Sequence, residues 1–189
     1  MTLQSPDLQT EIAAFKNLSF RHAISVDAEV IAQLVNSAYR GDTSRQGWTT
    51  EADLLRGSRI YAAEVLELIA ANDSVILLCL QEQEIIGCVH LQRSDAAAYL
   101  GMFVVRPTLQ GNGIGKHFMQ IAEQHAHQLW SINKIWMTVI SVREELIAYY
   151  QRRGYVRTGR YKPFPKDNGK EQMLVDDLQF EEMEKVLPV

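Results

Sequence analysis

The chain has 189 residues, 47% of them hydrophobic and 22% charged, with a formal net charge of −4. That length suits one α/β domain with a continuous core, and the acidic balance argues against nucleic acid as the main partner. No basic start leads into an apolar stretch, and no run of about 18 apolar residues occurs, so no secretory signal or membrane span is expected and the expected location is the cytoplasm.

Residues 1–17 are polar, with a weak helical pattern at Leu8, Ile12, Ala13 and Phe15, and form an extension to a domain spanning 18–189. Leu18–Ile24 alternates as a first strand, and Ser25 or Asp27 can cap a helix carrying Val30, Ile31, Leu34, Val35 and Ala38 until Gly41 ends it. Gly41–Gly47 is a polar loop, Thr49 or Thr50 caps a short helix through Leu55, and a longer helix fits Tyr61–Ala71. Three strand-like runs follow, Val75–Gln81, Ile85–Gln92 and Ala97–Val105, joined by connections short enough for antiparallel hairpins. Cys79 and Cys88 lie within the first two runs and suit buried free thiols in a reducing compartment. Gly113–Trp130 is helical in pattern, Lys134–Ser141 is a strand parallel to the one ending at Val105, and Val142–Arg153 is a helix stopped by Gly154. Tyr155–Tyr161 and Gln179–Leu187 complete the order, the latter with the acidic alternation of an exposed last strand. The whole reads as α/β (α+β), a single mixed sheet with helices on its faces.

The most informative segment runs from Val104 through Arg106-Pro107 and Gln110-Gly111-Asn112-Gly113-Ile114-Gly115-Lys116 into the long helix. Three glycines at alternate positions let the backbone turn tightly and a ligand approach without Cβ obstruction. A helix N-terminus adds unpaired N–H groups and a positive dipole end, both suited to phosphate, and Lys116 adds charge at the rim. A Walker loop is excluded because Gly111 to Gly115 is one residue short and His117 stands where the magnesium-binding hydroxyl would be. The dinucleotide fingerprint is excluded because G-x-G-x-G replaces G-x-G-x-x-G and no acid closes the following strand.

Gln110–Gly115, set behind Val105-Arg106-Pro107, resembles the signature Q/R-x-x-G-x-G/A of the GNAT superfamily of N-acetyltransferases. The resemblance implies the GNAT fold, with a mostly antiparallel central sheet of about seven strands flanked by helices. It implies acetyl-CoA as co-substrate, with the N–H groups of Gly111, Asn112, Gly113, Ile114, Gly115 and Lys116 on its pyrophosphate. Phe103, Val104 and Val105 would pair with the pantetheine arm, and a backbone N–H near Val104 or Val105 would polarise the thioester carbonyl.

Tyr149-Tyr150-Gln151-Arg152-Arg153-Gly154-Tyr155 looks like the family's second landmark. Tyr150 falls where the family usually carries a tyrosine near the coenzyme sulfur. A phenol of pKa about 10 can protonate a leaving thiolate; the plainer alternative is a packing residue on an amphipathic helix. Tyr149 suits core or pocket wall. Arg143 stands where many members carry a coenzyme-contacting Asn, so it contacts the coenzyme or its 3′-phosphate or faces solvent. No general base is evident. Glu51, Glu144 and His90 are candidates, and the strand position where some relatives carry a Glu holds Thr138.

The acceptor region of this fold would contain Tyr39-Arg40-Gly41 and Gly47-Trp48-Thr49-Thr50-Glu51, followed by Arg59. Tyr39 and Trp48 offer aromatic walls and Glu51 a carboxylate for a substrate amine, unless Trp48 merely packs helices and Thr49–Glu51 caps one. His117, His125 and His127 share one helix without metal spacing, so no metal is expected. The basic tract Arg152, Arg153, Arg157, Arg160, Lys162 and Lys166 is a solvated face or a steering patch for phosphate. The expected activity is direct acetyl transfer to a primary amine of a small molecule. A protein N-terminal or lysine acetyltransferase and a non-catalytic acyl-CoA-binding module are the alternatives; a homodimer is compatible with the sequence.

Overall fold

The computed structural model describes Phe15, residues 17–165 and residues 170–188; the helical pattern at Leu8–Ala13 and Lys166 lie outside them. Seven strands form one sheet in the order β1-β3-β4-β5-β6-β9-β7. They are β1 (Leu18–His22), β3 (Ser74–Gln81), β4 (Glu84–Ser94), β5 (Ala97–Val105), β6 (Lys134–Ile140), β7 (Val156–Pro163) and β9 (Gln179–Val186). Every pairing is antiparallel except β5 with β6, which run parallel because α4 (Ile114–Trp130) crosses between them. The sheet is therefore mixed and mostly antiparallel, as expected.

One face of the sheet packs α1 (Ala28–Tyr39) and α3 (Ala62–Ala70) over Ile76, Leu78 and Cys88. The opposite face packs α4 and α5 (Glu144–Gln151) over Leu91, Leu100 and Met137. Cys79 and Cys88 are buried free thiols, and burial pushes both up to about 12, so neither is a thiolate at neutral pH.

Four local expectations are corrected. The 41–47 loop contains a helical turn, α2 (Gly41–Ser44), entered by Gly41 at φ 65° and closed by the Ser44 hydroxyl on the Gly41 carbonyl (2.7 Å). The helix through Leu55 is a single turn, in which the Glu51 carbonyl accepts from the N–H groups of Leu54 and Leu55 (both 2.9 Å). Leu55–Gly57 then becomes β2, paired with β8 (Glu171–Met173) in a separate two-stranded sheet. Asp27 precedes α1, but its carboxylate caps the Ile24 N–H (2.8 Å) and holds Arg21 (2.7 Å) instead of capping the helix itself. Finally, β9 is not an exposed last strand. It lies between β6 and β7, where Met183 and Glu181 are fully inside. An alternating acidic pattern says which face each residue takes, not whether the strand is an edge.

The feature that creates the site is a β-bulge in β5. His90 pairs with Gly101 and Cys88 with Val104, so Met102 and Phe103 together face Val89, and Met102 adopts φ 53°. The extra residue flips the alternation: Ala98 and Leu100 pack on the α4 face, whereas Met102 and Val104 pack on the α1 face. Pairing between β5 and β6 extends only over Ala98–Tyr99 and Ile135–Trp136. Beyond that point the two strands part.

Candidate active site

Two cavities meet at the parting of β5 and β6. The first, about 390 Å³, opens beside the glycine loop and has Phe103, Val105, Gly111, Gly113, Gly115 and Lys116 on its wall. The second, about 310 Å³, lies toward Arg40, Glu51, Arg59 and β6. Tyr39, Phe103, Arg143, Leu146 and Tyr150 belong to both walls.

The glycine loop has the conformation that its residues demand. Gly111 (φ 87°) and Gly113 (φ 81°) are left-handed, and Gly113 is the residue before α4. Among the described residues, the N–H groups of Gly111 through Lys116 have no protein acceptor; the first satisfied amide is that of His117, on the Gly113 carbonyl (3.1 Å). A Cβ at Gly115 would come 3.0 Å from the Tyr149 hydroxyl, so the groove is narrow there. Lys116, Arg152 and Arg153 place positive charge on the same wall. These features fit an anionic pyrophosphate. Asn112 and Ile114 are not on the wall: the Asn112 side chain is in solvent and Ile114 packs in the core, so only their main chain is available.

Gln110 lies on the wall but is used internally. Its amide donates to the Val105 carbonyl (2.9 Å) and accepts from the Trp48 N–H (3.1 Å), tying the loop before α4 to the loop over the groove. Trp48, expected on the acceptor side, lines this first cavity and not the second, with its ring 5.2 Å from that of Tyr149 and tilted by 30°; the Arg153 guanidinium lies 3.3 Å from the centroid of the Tyr149 ring. Tyr149 is thus pocket wall, one of the two roles expected for it.

Tyr150 is buried at the seam between the cavities. Burial, then the neighbouring Tyr39 and Tyr149, push its phenol well above the ordinary value, while Arg143 pulls the other way. It therefore carries its proton at neutral pH. Tyr39 donates to the Phe103 carbonyl (3.2 Å), pinning α1 against the bulge.

Arg143 neither faces solvent nor points freely at a ligand. It is buried and donates to Glu51 (2.6 Å) and to the Thr49 hydroxyl (2.6 Å). Glu51 also accepts from Arg40 (2.5 Å), and Arg40 reaches on to Glu171 of β8. Both oxygens of Glu51 are consequently occupied by guanidinium groups, which removes it as a ready base or amine ligand. The other two base candidates lie elsewhere. Glu144 is exposed and paired with Arg157. His90 is off both cavity walls, bonded to Ser74 (2.9 Å), and burial pushes it down to about 4. Thr138 does line the second cavity.

Arg40 of the expected acceptor stretch lines the second cavity, as do Tyr99, Phe164, Lys170 and Glu171, which the sequence does not point to. Tyr99 of β5, Phe164 just past β7, and Lys170 and Glu171 at the start of β8 carry no local signal. The bulge places the positions left out of ladder register at Met102 and Phe103, rather than at Val104 or Val105. Among the described residues, no group of three metal-binding side chains occurs, and no helix is long and apolar enough to cross a membrane.

Residues 28–155 match the acetyltransferase (GNAT) family. No curated protein matches the chain. Solved structures share the fold at low identity. The ribosomal-protein-S18-alanine N-acetyltransferase from Escherichia coli is 10% identical, with 91% of this chain and 95% of that chain covered and a TM-score of 0.67. The spermidine/spermine N-acetyltransferase from Vibrio cholerae, in complex with manganese ions, is 17% identical over 92% and 94%, with a TM-score of 0.63. An acetyltransferase of the GNAT family from Streptococcus pneumoniae is 16% identical over 90% and 99%, with a TM-score of 0.60. With a glycine-lined groove at the N-terminus of α4 and a family match over residues 28–155, the chain belongs to the GNAT acetyltransferase family and is an acetyl-CoA-dependent acyltransferase.

Proposed function

We propose that residues 18–189 act as one domain that transfers an acetyl group directly from acetyl-CoA to a primary amine of a small molecule, with Tyr150 as general acid. The observation that carries this reading is the position of Tyr150 on the shared wall of the two cavities. A donor thioester in the first cavity and an amine in the second would meet beside its phenol.

In the reaction the amine nitrogen attacks the thioester carbonyl carbon, the C–S bond of the tetrahedral intermediate breaks, and the thiolate takes the Tyr150 proton. The attacking amine loses a proton in the same cycle; with Glu51 held by Arg40 and Arg143, water within the second cavity is the natural carrier. Neither cysteine lines a cavity, which favours direct transfer over a covalent acyl-enzyme. The size of the acceptor cavity supports a small molecule. The related structures act on different acceptors by their names, spermidine or spermine in one and a ribosomal-protein alanine in another.

Thiol release measured over a panel of amines and short peptides tests the reading. Turnover with free amines and none with peptides supports it; turnover confined to peptide N-termini or lysines refutes the small-molecule acceptor. Acetyl-CoA at about a hundred times its dissociation constant should raise stability by roughly 2.7 kcal/mol. Gly113→Asp, which puts a carboxylate and a strained backbone at φ 81°, should abolish that gain. Retention of it would remove the glycine loop from the donor site.

A further inference from the structure

The second cavity has an uneven charge lining. Among the described residues, Arg40, Arg59, Arg143 and Lys170 face two carboxylates, Glu51 and Glu171. Three of the four cations have partners: Arg40 holds Glu51 and Glu171, Arg143 holds Glu51, and Lys170 reaches Glu64 (2.6 Å). Arg59 is the exception, with no ion pair or side-chain hydrogen bond among the described residues. A half-buried guanidinium offers five donors in a fixed fork and cannot give up its proton to escape the desolvation cost.

The placement of Arg59 is nonetheless fixed. Asn36 of α1 accepts from the Arg59 N–H (2.7 Å) and donates to the Ile60 carbonyl (2.8 Å), which locks the backbone on both sides of it. The guanidinium lies 5.9 Å from the centroid of the Tyr39 ring, on the acceptor side of that residue. Arg59 lines the second cavity and not the first, so the phosphates of the donor are not its partner.

We propose that this cavity selects an amine that also carries an anionic group, a carboxylate or a phosphonate, and that Arg59 is the residue that binds the anion. The proposal rests on the acetyltransfer reading and names the acceptor class of that same site. The anion would complete the cavity's charge balance and fill the fork of Arg59 bidentately. The amine end would lie toward Tyr150 and the bulge. A polyamine would bring further positive charge to a wall already rich in it, where low dielectric strengthens the repulsion.

The test uses matched amines: leucine against 3-methylbutylamine, 4-aminobutyrate against butylamine, 3-aminopropylphosphonate, and spermidine. Calorimetric binding in the presence of coenzyme A and thiol release with acetyl-CoA are both read. At least one anionic amine should exceed its uncharged-tail twin by about 10- to 100-fold in affinity and in kcat/KM, the factor that a hydrogen bond to a charged group gives. The carboxylate and phosphonate arms identify which anion fits. Arg59→Gln should erase the preference through KM while the KM for acetyl-CoA stays within about twofold, and Arg59→Lys should restore part of it. Equal or better use of the twins or of spermidine overturns the proposal, as does a preference that survives Arg59→Gln. If nothing is acetylated, anion-dependent binding lost in Arg59→Gln upholds the subsite and sinks the acetyltransfer reading instead; binding unaffected by that change sinks the subsite.

Discussion

The two cavities on either side of Tyr150 are made of different materials. The proposed donor groove is a main-chain construction: left-handed glycines, a run of unsatisfied amides and one helix end, all within residues 110–116. The proposed acceptor cavity is a side-chain construction, in which α1, Glu51, β5, β6, α5 and β8 each contribute, and Arg40, Glu51, Arg143 and Glu171 tie them together. A site made from contiguous backbone tolerates variation in its surroundings, because its donors come with the fold. One made from charged side chains gathered across the chain is sensitive to each of them. The same scaffold can therefore keep its donor while its acceptor is rewritten.

Tyr150 is where the two constructions meet, so its removal should have the largest effect. Tyr150→Phe keeps the ring that packs between Tyr149 and Tyr155 but deletes the proton. Turnover should fall about 10²–10⁴-fold, with acetyl-CoA binding and unfolding midpoint unchanged. A rate within threefold of the original across the pH range would return Tyr150 to the status of a packing residue. The donor groove would then be intact without a proton source at the seam.

The next largest effect concerns stability and separates the two charge arrangements within the acceptor cavity. Glu51 compensates two buried guanidinium groups at once. Glu51→Ala leaves Arg143 with only the half-exposed Glu145 at 3.7 Å and should cost about 3–5 kcal/mol of folding stability, measured by urea unfolding. Arg59→Gln removes a charge with no ionic partner and should stay within about 1 kcal/mol. Similar losses from the two changes would mean that Arg59 belongs to the same structural network and is not reserved for a ligand.

His90 offers a buried ionisable group with no counter-charge, a contrast to the paired arginines. Burial holds it near 4 against 6.5 in an open chain. Between those values the unfolded chain binds a proton that the folded one does not, so stability falls as pH drops from 6.5 to 4 and is unaffected by this group above 6.5. The loss amounts to about 3 kcal/mol by the lower limit. The difference in unfolding free energy between wild type and His90→Gln should change by that much between pH 7.5 and pH 4. A constant difference would show that His90 protonates freely in the folded state.

How much of this was legible in the sequence follows the same division. Gln110–Lys116 carries the strongest signal because glycine spacing, helix start and preceding proline all fall in one short window, and the backbone conformation follows from them. The principal strands and helices were legible for the same local reason: apolar period sets each element. What failed to show was long-range. The sheet β2–β8 joins segments more than a hundred residues apart, β9 slips between β6 and β7, and Glu51 reads as available because nothing local announces Arg143, 92 residues on, as its partner. Arg59 was visible only as a basic residue near a region of interest; its isolation is a property of the assembled wall.

Gln110 provides the smallest and most discriminating test, because it adds a side-chain clamp to a groove otherwise made of main chain. It is the first residue of the glycine signature, yet its side chain is spent on the Val105 carbonyl and the Trp48 N–H. A Cβ added at Gly47 would come 2.5 Å from its oxygen, so the two loops are seated closely. If Gln110 serves as a clamp, Gln110→Ala should cost about 1 kcal/mol in stability, the net worth of a typical hydrogen bond. Trp48 lines the first cavity and not the second, so the KM for the acceptor should hold while the loosened Trp48 raises the KM for acetyl-CoA modestly; the amides of Gly111–Lys116 are set by left-handed glycines and a helix start that the substitution leaves alone. A loss of acetyl-CoA affinity as large as that from Gly113→Asp would show that the glutamine side chain itself contacts the donor, and that the groove is less purely main-chain than its geometry indicates.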